Sequence, residues 1–99
     1  MASREDKKAL QGSNKNDGLT VLADVAEGEK CIVVKALGSF GLVRRLTEMG
    51  LTPGTEIKLL RKGILGGPVE IEVRGVALIL GREVASRVLV KPVKEEQND

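Results

Sequence analysis

Apolar residues are distributed unevenly along the 99-residue chain. Residues 1–18 carry charged and small polar side chains without an apolar period, and residues 94–99 have the same character. Such segments bury too little apolar surface to offset the entropy lost on ordering. The pattern therefore predicts a flexible polar tail at 1–18, one folded domain at 19–93 and a flexible charged tail at 94–99.

The domain opens with a pattern typical of a short strand followed by one helical turn. Asp24 with Glu27 three residues later predicts a capped turn, and Gly28 predicts a chain reversal. The run CIVVKAL at 31–37 is rich in β-branched side chains and predicts a strand. Its phase is interpreted with Ile32 and Val34 facing the core.

The segment SFGLVRRLTEMG, residues 39–50, changes from a period of two residues to the helical period of about 3.6. Ser39 is the predicted N-cap. The predicted inward face consists of Leu42, Leu46 and Met49, with Val43 at its margin. The predicted outward face consists of Arg44, Arg45 and Glu48.

The end of this helix is predicted in detail. Gly50 suits the C′ position, where a left-handed backbone stops a helix, and Leu51 can then pack back on Leu46 in a Schellman motif. The next four residues, TPGT at 52–55, have the proline and glycine positions of a type II turn. The chain is therefore expected to leave the helix and enter a strand within a few residues.

The rest of the domain is predominantly β in pattern. EIKLLRK predicts a strand with Ile57 and Leu59 inward, and VEIEVRG predicts one with Val69, Ile71 and Val73 inward. GILGGP predicts a loop, and Gly75 predicts a turn before the apolar run VALIL. GREVASRV then predicts a single helical turn, and VLV predicts a short closing strand. Five or six short strands with one small helix favour a closed barrel, because closure removes exposed strand edges.

Composition excludes several kinds of chemistry. The chain contains no His, which removes histidine-based hydrolytic dyads and triads and histidine zinc sites. It has one Phe and neither Trp nor Tyr, and its net charge is only +2, which argues against stacking on single-stranded nucleic acid. No apolar run is long enough to cross a membrane. These features predict a cytoplasmic protein that is not an enzyme.

Four features could carry chemistry, and each has a simpler interpretation. The glycines of GILGGP lack the following Lys-Ser or Lys-Thr of a phosphate loop, and LGSFGL lacks dinucleotide-binding spacing. Glu70 and Glu72 are interpreted as the solvated face of a strand. Cys31 is interpreted as an inert strand cysteine, since no basic neighbour is evident that would lower its pKa. No catalytic, cofactor-binding or metal-ligating residue is predicted.

Three stretches together carry a family resemblance: LADVAEGEKCIVVKALG, RRLTEMGLTPGTEIKLLRKG and GPVEIEVRGVALILGREVASRVLV. In this order and spacing, the chain from about Leu19 to Val90 resembles the FeoA family of ferrous iron uptake proteins. The resemblance implies a small SH3-like β-barrel of five to six short antiparallel strands with one inserted short α-helix and a further helical turn. The long N-terminal tail departs from the family pattern.

The resemblance also implies a function. Members of the family are accessory proteins that act with FeoB, the membrane ferrous iron transporter whose cytoplasmic portion holds a GTP-binding domain. The helical period, rather than the resemblance, makes Arg44, Arg45 and Glu48 the candidate partner-binding residues, and the simpler interpretation of Arg44 and Arg45 is a solvated helix face. Contact with nucleic acid is not expected, and contact with the membrane is expected only through the transporter; self-association is left open.

Two other functions stay open at this point. One is a metal-responsive sensor or chaperone for iron that uses carboxylates and Cys31, although few soft or imidazole ligands exist and only weak binding of Fe(II) or another divalent metal is expected. The other is a small nucleic-acid-binding barrel, which would show salt-dependent binding to RNA.

Overall fold

A computed structural model describes residues 18–93, so the predicted tails lie outside the described residues except for Gly18. The domain is mainly β, with two α-helices and two short 3₁₀ turns. Its strands are β1 Thr20–Val21, β2 Lys30–Ala36, β3 Glu56–Lys62, β4 Val69–Val73, β5 Val76–Leu80 and β6 Val88–Pro92. Its helices are α1 Phe40–Glu48 and α2 Arg82–Ala85, and its 3₁₀ turns are Leu22–Asp24 and Ile64–Gly66. The predicted SH3-like set of strands, inserted helix and further helical turn is confirmed.

All six strands form one antiparallel sheet in the order β1-β6-β2-β3-β4-β5. Two register shifts, between Val33 and Lys35 in β2 and between Leu59 and Arg61 in β3, mark the β-bulges in the sheet. Bulges bend a strand and increase its twist, which lets the sheet curl around a core. The hydrogen-bonded strand order ends at β1 and β5. The closed barrel predicted from edge protection is therefore not completed by backbone hydrogen bonds at β5.

An aliphatic core fills the curled sheet, because the one aromatic residue, Phe40, is exposed. Strands β3 and β4 alternate as predicted, with Ile57, Leu59, Val69 and Ile71 fully buried. The end of β4, the other strands, both helices and the connecting segments add further core residues: Leu22, Ala23, Val25, Cys31, Val33, Leu46, Leu51, Val73, Leu80, Ala85, Val88 and Val90.

The predicted phase of β2 is wrong. Cys31 and Val33 are buried, whereas Ile32 is exposed and Val34 lies at an intermediate position. Four consecutive apolar residues satisfy either phase of a two-residue period, so the pattern alone does not decide between them. Pairing with the chain after the helix fixes the phase, because the Val33 backbone N–H donates to the carbonyl oxygen of Thr55 at 2.9 Å.

The predicted cap at the start of the domain is also wrong. Asp24 is the last residue of its 3₁₀ turn rather than the residue before it, and the residue that does precede the turn makes no side-chain cap. The Glu27 carboxylate instead accepts a hydrogen bond from the backbone N–H of Lys62 at 2.8 Å. It therefore ties the loop before β2 to the end of β3.

Both predicted ends of α1 are confirmed. The Ser39 hydroxyl oxygen accepts a hydrogen bond from the backbone N–H of Leu42 at 3.2 Å. At the other end Gly50 has φ of 92°, its N–H donates to Thr47, and the N–H of Leu51 donates to Leu46. These are the two hydrogen bonds of a Schellman motif.

Candidate partner-binding surface

The predicted outward face of α1 lies in solvent. Arg44 and Glu48, four residues apart, form an ion pair at 3.6 Å with side chains that are 72% and 66% exposed. Arg45 is exposed beside them. Exposed ion pairs of this kind typically contribute only about 0.3–0.5 kcal/mol to stability. The fold therefore gains little from these three side chains, which remain available to a partner.

A groove of about 210 Å³ separates α1 from β5. We call it the α1–β5 groove. It is smaller than a typical small-molecule pocket of about 300–1,000 Å³ and matches the scale of protruding side chains instead. Apart from Arg45, the side chains that line it are apolar, and the full set of lining residues is Leu42, Arg45, Leu46, Met49, Ile79, Leu80, Gly81 and Val84.

The three predicted inward residues of α1 are buried to different degrees. Leu46 is buried, Leu42 is half-buried against the core, and Met49 is 37% exposed. The sequence pattern predicted all three as equally inward. All three side chains line the α1–β5 groove, and the predicted burial of Met49 is wrong.

Three large exposed apolar side chains belong to the same two elements. Phe40, the first residue of α1, is 86% exposed, and on β5 Val76 is 56% and Ile79 is 68% exposed. Sequence reasoning missed Ile79, because a continuous apolar strand such as VALIL is typical of burial on both faces. The signal that could have identified it is the end position of β5 in the sheet, which is a property of the topology.

Cys31 is fully buried on β2. Burial raises the pKa of its thiol from the ordinary 9.0 to about 11, with smaller contributions from the carboxylates of Glu29 and Glu56. The thiolate is the form that attacks electrophiles and binds metals. The environment therefore agrees with the interpretation of Cys31 as inert and works against its use as a metal ligand.

The raised pKa of Cys31 predicts a loss of stability at high pH. As pH rises from about 9 to about 11, the unfolded thiol loses its proton before the folded one does, so deprotonation favours the unfolded state. We expect this group to lower the free energy of unfolding by up to about 2–3 kcal/mol across that window and to have no effect below it. Urea unfolding of the wild type and of Cys31→Ala at about pH 8 and about pH 10.5 measures the difference. Identical pH slopes in the two proteins would contradict the prediction.

The other candidate features occupy structural positions. Glu70 forms an ion pair with Arg61 at 3.3 Å, and GILGGP connects β3 to β4 through a 3₁₀ turn. Within residues 18–93, no three His, Cys, Asp or Glu side chains are grouped so that they could hold a metal ion. No helix in this part of the chain is long and apolar enough to cross a membrane.

The curled six-stranded sheet with an inserted helix defines a small SH3-like β-domain. The chain belongs to the FeoA family, because the FeoA domain matches residues 20–92. It is 36% identical over 70 residues to a Methanocaldococcus jannaschii protein provisionally named Fe(2+) transport protein A, a match that covers 71% of this chain and 83% of that protein.

Solved structures agree with this assignment. A crystal structure of an iron uptake regulatory protein (FeoA) is 37% identical and superposes with a TM-score of 0.69, covering 76% of this chain and 97% of that one. FeoA of Stenotrophomonas maltophilia, crystallised with zinc, is 25% identical with a TM-score of 0.65, covering 73% of this chain and 89% of that one. That protein is described as an SH3-domain protein and a candidate activating factor for bacterial ferrous iron transport.

Proposed function

We propose that this protein is a non-enzymatic cytoplasmic accessory factor of ferrous iron uptake. In this proposal it binds the cytoplasmic, GTP-binding part of the FeoB transporter and supports or regulates transport of Fe(II). Membership of the FeoA family supports the pathway, since related proteins are named for Fe(2+) transport. The partner comes from the family resemblance, and the binding surface comes from the geometry of α1.

One observation carries the choice of surface. Arg45 lies on the exposed face of α1 and also lines the apolar α1–β5 groove. Binding sites commonly combine a desolvated apolar centre, which supplies most of the affinity, with charges at the rim, which orient the partner and speed its association. The groove supplies the apolar centre, and Arg44, Arg45 and Glu48 supply the charged rim.

The double variant Arg44→Glu with Arg45→Glu tests this surface. We expect its affinity for the purified cytoplasmic domain of FeoB to fall by about tenfold or more, because two rim charges are reversed. We expect the free energy of unfolding to change by less than about 1 kcal/mol, since the two side chains are exposed and only one weak ion pair is lost. Titration calorimetry and urea unfolding on the same variant measure both quantities.

A control variant tests whether binding depends on where the charges are reversed or only on how many are reversed. Lys35→Glu with Lys91→Glu makes the same change in net charge on β2 and β6, where both lysines are exposed, and we expect it to retain the wild-type affinity. Equal weakening by both double variants would show a general charge effect and refute this surface. A wild-type protein that fails to bind the transporter domain in its GTP-bound, GDP-bound and nucleotide-free states would refute the proposed function.

A further inference from the structure

The two ends of the sheet are protected very differently. Natural proteins protect edge strands by keeping them short or by placing charges, prolines or bulges in them. The edge strand β1 is only two residues long. The opposite edge, β5, has the sequence VALIL, contains neither charge nor proline, and pairs with β4 in unbroken register. Strand β5 therefore has no charge, proline or bulge of its own to protect its edge.

The geometry of the β4–β5 hairpin identifies which backbone N–H and C=O groups of β5 do not form hydrogen bonds with β4. Turn residues 74–75 have φ of 52° and 81°, the positive values of a two-residue type I′ turn. Such a turn makes Val73 and Val76 the first hydrogen-bonded pair, and hydrogen-bonded pairs then alternate along the ladder. The N–H and C=O groups of Ala77 and Ile79 consequently point away from β4. No backbone hydrogen bond within residues 18–93 reaches them from another element.

The open edge borders the groove already described. Ile79 and Leu80 form one wall of the α1–β5 groove, and Met49 lies on the wall formed by α1. An extended segment paired with Ala77 and Ile79 would therefore lie along the opening of the groove. Alternate side chains of a strand point to the same face, so one of them would enter the groove while the backbone pairs with β5.

The charged residues around β5 indicate which kind of segment could bind along its edge. Three arginines surround it: Arg45 on the groove wall, Arg74 at one end of β5 and Arg82 just past the other. None of the three forms an ion pair with another described residue. Of the neighbouring acidic side chains, Glu48 and Glu83 are paired within their own helices and Glu70 is paired with Arg61. Glu72, opposite Ala77 on β4, is the acidic residue next to β5 for which no ion pair is seen among residues 18–93, and the three arginines outnumber it. The edge is therefore complementary to a segment with acidic residues on either side of an apolar strand.

We infer that β5 is a strand-addition site, where an extended, acidic-flanked segment of the transporter's cytoplasmic portion pairs as a seventh strand. This inference rests on the proposed function and specifies how the partner is held. A second copy of the chain is a poorer occupant. Antiparallel pairing of β5 with itself about Leu78 would bring Arg74 opposite Arg82 of the other copy, and like charges directly opposite destabilise a strand pair.

Amide hydrogen exchange of the full-length protein, with and without the FeoB cytoplasmic domain, tests this inference. In the free protein the Ala77 and Ile79 amides should exchange quickly and those of Val76, Leu78 and Leu80 slowly. Complex formation should slow exchange at Ala77 and Ile79 by about tenfold or more, because protection follows hydrogen bonding at each amide.

A complex in which these two amides stay unprotected would overturn strand addition and leave the proposed function standing. A failure to form any complex would overturn both. Protection that appears without the domain and rises with protein concentration would assign the edge to a second copy instead.

A pair of variants at Ala77 removes the edge donor without altering charge. Ala77→Pro eliminates the outward N–H, and proline is accepted at an edge whose N–H faces solvent, so the β4–β5 ladder is expected to persist. Ala77→Val keeps the donor and has a high β propensity. We expect Ala77→Pro to weaken binding of the transporter domain by about tenfold, the change that corresponds to roughly one net hydrogen bond. Ala77→Val should bind as the wild type does. Equal affinities of the two variants, with the β4–β5 amides still protected in Ala77→Pro, would refute the site.

Discussion

Replacing Ile71 by alanine is expected to lower the free energy of unfolding by about 2–5 kcal/mol. Ile71 is fully buried at the centre of β4, in register with Leu59 of β3 and Leu78 of β5. Truncation removes apolar contacts and leaves a cavity that the flanking strands fill only in part. Total stabilities of small domains are typically about 5–15 kcal/mol, so this single change removes a large share.

Thermal and urea unfolding measure this loss directly. At about 4–8 °C per kcal/mol for a domain of this size, Tm should fall by about 8 °C or more. Ile79→Ala on the adjacent strand is a matched control, because the same atoms are removed from a side chain that is 68% exposed. Its expected loss is within about 0.5 kcal/mol. Similar losses at the two positions would show that the burial assigned to β4 and β5 is incorrect.

Gly50→Val is expected to destabilise the protein by about 1–2 kcal/mol or more through backbone strain. Gly50 has φ of 92° and sits where α1 ends, with its N–H bonded to the carbonyl oxygen of Thr47 at 2.9 Å. A Cβ placed there would lie 3.8 Å from the nearest atom, Cγ1 of Val73. Because that distance is an ordinary contact, the cost arises from the left-handed backbone itself and not from a clash.

Two further substitutions isolate the cause. Asparagine tolerates the left-handed region better than other side chains, so Gly50→Asn should lose clearly less stability than Gly50→Val. Gly41→Ala, inside the same helix and in open space, should stabilise the protein by about 0.4–1 kcal/mol. Chemical denaturation of the three variants provides the comparison. Equal losses for Gly50→Asn and Gly50→Val would exclude backbone strain as the reason.

Local signals in the sequence were sufficient for several elements of the fold. The cap at Ser39, the stop at Gly50 and the alternation of β3 and β4 each depend on residues within a few positions of one another. Helix capping, the helical period and turn chemistry act over the same short range, so the printed sequence contains the information needed. The outward position of Arg44, Arg45 and Glu48 follows from the helical period in the same way, and their role in binding stays a prediction.

The sequence alone could not determine features that depend on distant partners. The run CIVV fits either strand phase, and its phase is fixed where Val33 bonds to Thr55, on the far side of α1. Glu27 resembles part of a local cap, yet its hydrogen-bond donor is the backbone of Lys62, 35 residues away. In both cases long-range pairing decides between local arrangements that the pattern leaves equivalent.

The same distinction between local and long-range determinants applies to the candidate site. The period of α1 placed its three charged residues in solvent, whereas the α1–β5 groove depends on how the helix lies against the sheet. Whether the apolar strand β5 is covered depends on its place at the end of the sheet order, which is set by the pairing of all six strands. Short-range periodicity thus determined which residues α1 exposes, and tertiary packing alone placed them beside an open strand edge, because no local interaction specifies which strands become neighbours.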